Sequence, residues 1–231
     1  MAKVPIRAVD IAKVVDEAHF GTLNWLAEEP AEYGSLYNAT KALLDLLEAR
    51  KVDFVLAGGL AMLQYVTGRN TSDIDIVIAT RELERVPELR VTYRDKDFIR
   101  SDFHGVTVDA LFTRNKLFDA VRKRFTALRD FDGRTIRCAT PEGLVLMKLY
   151  ALPSLYRQGR FEKVRIYEAD VANLVRVCDV AVAPLLEVLR SHVMPGDLTE
   201  VEGIVRDIEH AIARFDRKPF GEPREDEPEV P

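Results

Sequence analysis

Residues 53–80 of the chain read DFVLAGGLAMLQYVTGRNTSDIDIVIAT. The apolar run before the glycine pair Gly58-Gly59 predicts a short buried strand that ends where the glycines begin. A helix-periodic run over 60–66 and a polar turn over 68–72 follow, and a second apolar strand closes the stretch. The rest of the chain is organised around this strand–helix–strand unit.

Two carboxylates, Asp73 and Asp75, lie one residue apart in the second strand. Side chains two residues apart in a strand point to the same face, so both carboxylates project to one side while Ile74 and Ile76 pack on the other. Two carboxylates held side by side repel each other and need a cation. The stretch therefore predicts a cation site next to the glycine pair.

The composition is that of a folded globular protein, with 47% hydrophobic and 31% charged residues in 231. A charge or a glycine breaks each apolar run within about ten residues, and a membrane span needs about 20, so we expect no membrane segment. The N-terminus lacks the apolar core of a signal peptide, which predicts a cytoplasmic protein. Cys138 and Cys178 lie in apolar segments without ligand-spaced partners and are predicted to be free thiols.

The charge distribution limits the partners that the chain is expected to bind. A net charge of −5 argues against a protein that coats nucleic acid non-specifically. Residues 114–137, the basic segment, nevertheless hold eight Lys and Arg side chains against three Asp side chains. The basic segment is therefore compatible with an anionic partner that binds at this part of the chain.

The remaining pattern predicts mostly helices on the C-terminal side. Apolar spacing indicates helices over 9–18, 36–51, 81–89, 116–123, 141–152, 166–178, 184–193 and 199–215. It indicates strands over 91–93, 98–103 and 105–113, and the Asp132-Gly133 pair predicts a hairpin turn. We expect four segments, which are an N-terminal helical segment over 1–52, a core over 53–139, a helical region over 140–216 and a disordered acidic tail over 217–231.

Asp109 lies in the middle of the apolar strand GVTVDALFT, which is an expensive place for a lone carboxylate. If it meets Asp73 and Asp75 at about 4 Å, each like-charge pair costs roughly 4 kcal/mol at an effective dielectric constant near 20. A divalent metal ion relieves that repulsion, and all-oxygen ligands favour Mg²⁺ or Mn²⁺ over zinc. Two such ions can hold the attacking and leaving oxygens of a phosphoryl transfer.

Two further features predict an anionic ligand. Lys148 lies in LVLMKLYAL on the same helix face as Leu144, so an apolar environment surrounds its charge. Gly58 and Gly59 precede a predicted helix, whose unpaired N-terminal amides offer a seat for a phosphate group.

The order Gly58-Gly59, helix, Ser72-Asp73-Ile74-Asp75 and later strand with Asp109 resembles the nucleotidyltransferases of the DNA polymerase β superfamily. More narrowly, TPEGLVLMKLYAL followed by YEADVANL resembles the AbiEii type, the toxin half of bacterial abortive-infection and toxin–antitoxin pairs. The resemblance covers residues 53–179. It implies an α+β fold, with a nucleotidyltransferase-type mixed β-sheet flanked by helices and followed by a C-terminal helical region.

The resemblance also implies a role for each matching residue. The phosphates of a nucleoside triphosphate, ATP or another, would lie against Gly58, Gly59 and Ser72. Asp73, Asp75 and Asp109 would be metal ligands. Lys148 and Asp170 would be further nucleotide-binding residues. Asp109 would also help to deprotonate an acceptor hydroxyl. The lysine that usually precedes the last aspartate is replaced by Ala169. Ion pairing of Asp170 with Arg165 or Arg176 is the structural alternative.

The acceptor stays open at this stage. RNA such as a tRNA 3′ end, a protein hydroxyl and a small molecule such as an aminoglycoside are all compatible with one metal core, because the core determines the donor chemistry. The basic segment favours RNA. The alternatives to an enzyme are a catalytically silent nucleotide- or RNA-binding protein and a toxin that acts in complex with an antitoxin.

Overall fold

The computed structural model describes residues 36–67 and 69–216. Its strands are β1 (Phe54–Ala57), β2 (Asp73–Ile78), β3 (Arg90–Arg94), β4 (Phe98–Phe103), β5 (Val106–Phe112), β6 (Thr126–Phe131) and β7 (Arg134–Ala139). Its helices are α1 (Leu36–Ala49), α2 (Gly58–Met62), α3 (Thr80–Leu83), α4 (Lys116–Arg124), α5 (Pro141–Arg157), α6 (Phe161–Cys178), α7 (Val182–Arg190) and α8 (Pro195–Asp216). The helix predicted over 9–18 and the tail predicted over 217–231 lie outside the described residues.

Within these residues the strands form one seven-stranded sheet in the order β3-β4-β5-β2-β1-β7-β6. The sheet is mixed, because β2 runs antiparallel to β1 but parallel to β5, and β1 runs parallel to β7. The predicted mixed sheet with flanking helices and a C-terminal helical region is therefore confirmed. The predicted hairpin is confirmed as well, since Asp132 and Gly133 connect β6 to β7 with positive φ angles of 53° and 77°.

The central strands are apolar because both of their faces are covered. Val55, Leu56 and Ala57 of β1 are fully buried, and β2 is fully buried over its last three residues but only half-buried at Asp73 and Asp75. One continuous core joins the sheet to α1, α4 and α5. Asp73 and Asp75 thus lie at the end of β2 that emerges from the core.

Two helices end four or more residues before the position that the sequence predicts. The helix predicted over 60–66 begins at Gly58 and ends at Met62, and turns follow in which Tyr65 donates its backbone N–H to the Met62 carbonyl. The helix predicted over 81–89 covers only Thr80–Leu83. Pro87 explains this second difference, because proline has no N–H to continue the helical ladder.

The helix α5 is the centre of the C-terminal region. Thr140 caps it, accepting a hydrogen bond from the Gly143 N–H at 3.4 Å, and it continues through Pro153 to Arg157, beyond the predicted end at 152. It packs against α6, α7 and α8 as well as α4. In the described part of the chain, none of the helices combines the length and apolar character needed to cross a membrane.

Alanine substitutions at Gly143 in α5 and at Gly203 in α8 test the packing of α5. A Cβ atom on Gly143 would lie 2.9 Å from the Phe125 carbonyl oxygen, so Gly143→Ala should lower the free energy of unfolding by about 1–3 kcal/mol through overpacking. Gly203→Ala in α8 is the matched control, because the nearest atom to its Cβ is the Arg206 Nη2 at 3.8 Å. It should raise stability by up to about 1 kcal/mol, as alanine does in an open helix position. Urea denaturation of both variants measures the difference, and equal effects would contradict the packing.

Candidate active site

Three carboxylates meet at one end of the sheet. In the parallel pairing of β2 with β5, Asp75 lies directly opposite Asp109, and Asp73 lies on the same face two residues before Asp75. One carboxylate oxygen from each of Asp73, Asp75 and Asp109 lies within 4.8 Å of the other two. The structure thus brings together the three residues that the sequence predicts as metal ligands.

The electrostatics of this cluster are those of a site built for a cation. Burial, followed by the charges of Asp73 and Asp109, raises the pKa of Asp75 from 3.8 to about 7. A divalent cation would replace the proton that Asp75 otherwise retains. Three carboxylate donors within this distance fit Mg²⁺ or Mn²⁺, which prefer oxygen ligands.

Arg100 is a site residue that the sequence reasoning missed. It lies opposite Asp109 in the β4–β5 pairing and binds it in a bidentate manner, with Nε–Oδ1 at 2.8 Å and Nη2–Oδ2 at 2.6 Å. The hydrogen bonds that Arg100 donates to the Asp109 carboxylate raise the pKa of Arg100 above its ordinary value. The signal was present in the sequence, because a two-residue turn at His104-Gly105 places positions 100 and 109 opposite each other.

The glycine pair makes room for the acidic cluster and its loop. Gly58 has a φ of +59°, and a Cβ atom there would lie 1.7 Å from the Asp75 Oδ2. A Cβ atom on Gly59 would lie 2.2 Å from the Oγ1 of Thr71, whose hydroxyl donates to the Asp73 Oδ1 at 3.1 Å. Neither position therefore has room for a side chain. The sequence predicted that the glycines leave space for a phosphate group, whereas the structure shows that they leave space for Asp75 and Thr71.

A second charged cluster lies between α5 and α6. The Lys148 Nζ donates to the Asp170 Oδ2 at 2.7 Å, and the Arg69 guanidinium reaches both oxygens of Asp170 at 3.2 Å. Lys148 and Asp170 are only 5% and 3% exposed. Burial lowers the pKa of Lys148, while the charge of Asp170 opposes that shift. Arg176 forms its ion pair with Asp216 instead.

Arg69 was not predicted, and no local signal points to it. It lies in the loop before β2, 101 residues from Asp170 along the chain. Only the packing of α6 beside that loop brings the two together. The alternative pairing of Asp170 with an arginine of its own helix is thus replaced by a long-range pair.

A cavity of about 1610 Å³ opens beside the acidic cluster. Seven of the eight predicted site residues line it, namely Gly58, Gly59, Ser72, Asp73, Asp75, Asp109 and Lys148. Asp170 lies behind Lys148 and outside the lining residues. Arg69, Arg100 and Tyr167 also line the cavity, and the Lys148 Nζ lies 4.4 Å from the centre of the Tyr167 ring.

The basic segment presents less free charge than its composition suggests. Arg122 and Lys123 pair with Asp119, while Arg134 and Arg137 pair with carboxylates of α1 and the following turn. An RNA groove along this segment therefore gains no support from the geometry. The two cysteines, Cys138 and Cys178, are free thiols, as predicted.

Solved structures that are similar to the chain include three with 13–16% sequence identity. An antigenic nucleotidyltransferase-like protein from Paracoccidioides brasiliensis is 16% identical with a TM-score of 0.45, over 76% of this chain and 91% of that chain. ANT(2")-Ia in complex with adenylyl-2"-tobramycin is 14% identical with a TM-score of 0.47, over 66% and 94%. The solution structure of antibiotic-resistance factor ANT(2'')-Ia is 13% identical with a TM-score of 0.45, over 77% and 94%.

No protein-family model matches the sequence, and no curated protein matches it. The geometry of the site therefore carries the functional assignment.

The raised pKa of Asp75 predicts an unusual effect on stability. The folded chain retains a proton on Asp75 up to about pH 7, whereas the unfolded chain releases it near pH 3.8, so metal-free stability falls as the pH rises between these values. Asp75→Asn removes that loss. In a chelating buffer near pH 8 it should increase the free energy of unfolding by at most about 4 kcal/mol, and near pH 3 it should have little effect.

Thermal unfolding across this pH range measures the effect. Asp102→Asn is the matched control, since Asp102 pairs with exposed Arg90 away from the cavity and should show no such gain. Added Mg²⁺ or Mn²⁺ should stabilise the wild type more than Asp75→Asn. A variant that loses stability near pH 8 without metal would contradict the electrostatic account.

Proposed function

We propose that this protein is a metal-dependent nucleotidyltransferase that transfers a nucleoside monophosphate from a nucleoside triphosphate to an acceptor hydroxyl. The observation that carries the proposal is the cluster of Asp73, Asp75 and Asp109 within 4.8 Å, at the wall of a cavity that also holds Lys148. Like charges are held together here at a cost that a bound divalent cation relieves. A buried lysine in the same wall suits a polyanionic substrate.

The metal would be Mg²⁺ or Mn²⁺, held by Asp73 and Asp75 with Asp109 as the third ligand. Bound there, it would supply Lewis-acid stabilisation of negative charge on the phosphoryl oxygens. The Arg100 guanidinium fixes the plane of the Asp109 carboxylate, because it donates to both oxygens at 2.8 and 2.6 Å.

The remaining residues bind the donor and move the proton. Gly58, Gly59 and Ser72 lie along the cavity wall beside the cluster and would contact the triphosphate, for which ATP is the first candidate. Asp109 would accept the proton of the acceptor hydroxyl, whose oxygen attacks the α-phosphorus. The bond between the α-phosphorus and the bridging oxygen breaks, and pyrophosphate leaves with its charge partly neutralised by Lys148.

The size and rim of the cavity support a large acceptor. Its volume of about 1610 Å³ exceeds the roughly 300–1,000 Å³ of a typical single-ligand pocket, so donor and acceptor can lie side by side. Tyr93 and Phe161 line it with exposed rings, 52% and 63% accessible. Exposed aromatic rings are surfaces on which unpaired bases stack. We therefore propose RNA, including tRNA, as the first acceptor to test, ahead of a protein hydroxyl or an antibiotic.

A transfer assay tests the proposal. The protein is incubated with Mg²⁺ or Mn²⁺, each of the four α-labelled nucleoside triphosphates, and pools of RNA, protein or aminoglycosides as acceptors. We expect labelled acceptor and pyrophosphate with the wild type, and a loss of at least about 100-fold for Asp75→Asn, because a metal ligand supplies several kcal/mol to the transition state. Asp102→Asn, outside the cavity, should retain activity.

The outcomes separate the enzyme from its alternative. Saturable binding of a triphosphate without pyrophosphate release in any pool would support a catalytically silent nucleotide-binding protein. Equal activity of the wild type and Asp75→Asn would overturn the proposed site.

The toxin role, with an antitoxin as partner, follows from the AbiEii resemblance and stays a prediction. Induced expression in a bacterial host should arrest growth with the wild type and not with Asp75→Asn, because arrest by nucleotidyl transfer requires the acidic cluster. Growth curves and cell counts measure this. Equal growth of both strains at equal protein levels would contradict the toxin role.

A further inference from the structure

We propose that Arg69 is a positioning residue for Lys148. Arg69 stays paired with the Asp170 carboxylate when Lys148 moves away from it, and this allows Lys148 to bind the triphosphate. The inference rests on the proposed function, in which Lys148 binds the donor. It adds a residue, Arg69, and an exchange of ion-pair partners during donor binding.

The geometry of the cluster is that of one carboxylate shared by two cations. The Arg69 Nε donates to the Asp170 Oδ1 and its Nη2 to the Oδ2, both at 3.2 Å, while the Lys148 Nζ donates to the same Oδ2 at 2.7 Å. Arg69 alone thus reaches both oxygens of Asp170. Lys148 and Arg69 line the cavity, but Asp170 does not.

This arrangement solves a problem that a buried lysine creates. Asp170 is 3% exposed, so a Lys148 that turned towards a phosphate would leave a buried carboxylate without its partner. Removing one partner of a buried ion pair is strongly unfavourable. A lysine paired with Asp170 alone would therefore be held in place and would bind a phosphate poorly.

Arg69 removes that restraint. The guanidinium stays ionised at all relevant pH values, and its planar fork matches both carboxylate oxygens. Asp170 consequently remains paired when the Lys148 Nζ moves. The Tyr167 ring, whose centre lies 4.4 Å from that Nζ, keeps the ammonium group next to the cavity during the exchange.

The position of Arg69 connects this exchange to the donor site. A Cβ atom on Gly59 would lie 3.3 Å from the Arg69 Nη1, and Arg69 also donates to the Asn70 carbonyl. Arg69 therefore packs over Gly59, on the same loop as Thr71 and Ser72. One side chain thereby joins the loop beside the acidic cluster to the helix α6.

Calorimetric titration with ATP in Mg²⁺, together with kcat and KM for pyrophosphate release, tests the proposal on the full chain. Arg69→Met keeps the apolar stem but leaves Lys148 as the only cation on Asp170. We expect its affinity for ATP to fall about 10- to 100-fold, the equivalent of one charged hydrogen bond, with kcat at saturating ATP little changed. Arg69→Lys, which restores a cation, should recover part of the affinity.

The decisive comparison is the double variant Arg69→Met with Asp170→Asn. Without the negative charge of Asp170, nothing restrains Lys148, so the double variant should bind ATP more tightly than Arg69→Met alone. A double variant that binds as weakly as Arg69→Met overturns the proposal, since Arg69 would then contact the phosphates itself or only shape the loop. Melting temperatures identify any variant that fails to fold, and the Arg69→Lys recovery then decides.

The experiment also separates this proposal from the proposed function. A wild type that binds ATP but releases no pyrophosphate contradicts the transfer reaction, while the affinities of the variants still decide the role of Arg69. A wild type that binds no triphosphate overturns both.

Discussion

The mutual repulsion of Asp73, Asp75 and Asp109 is the constraint on which the rest of the site depends. Their separation is set by the register between β2 and β5, in which Asp75 pairs with Asp109. That same register buries the apolar ends of both strands, and a shift by one residue would turn the carboxylates into the core. The hydrophobic free energy of the sheet therefore holds the like charges together.

The neighbouring residues relieve only the part of this repulsion that involves Asp109. Arg100 neutralises Asp109 from β4, and the absence of a side chain on Gly58 gives the Asp75 carboxylate its space. Among residues 36–67 and 69–216, neither Asp73 nor Asp75 forms an ion pair with Lys or Arg. The two carboxylates that the sequence places on one strand face are thus the ones without a cationic side chain, which is the pattern of a metal site rather than of a structural ion-pair network.

The sequence predicted the parts of this site that depend on local periodicity. Period two places Asp73 and Asp75 on one face, and the apolar context of Asp109 marks it as unusual. The pairing of Arg100 with Asp109 was predictable as well, because a two-residue hairpin turn fixes the register of the two strands that it joins. The shortened helix at Thr80–Leu83 was predictable from Pro87, whose missing N–H interrupts the ladder. The pair Arg69–Asp170 was not, because it depends on the packing of two segments 101 residues apart.

The burial of Lys148 shows why the C-terminal helices belong to the site. An amphipathic helix would leave a lysine at its polar edge, but residues 143–149 of α5 are buried on all sides between the sheet and its neighbouring helices. An ammonium group in such a position needs an anion at all times. Asp170 of α6 supplies one from behind, and the cavity offers space for another in front. The helical region thus contributes a cation whose partner can change, while the sheet contributes carboxylates whose positions are fixed.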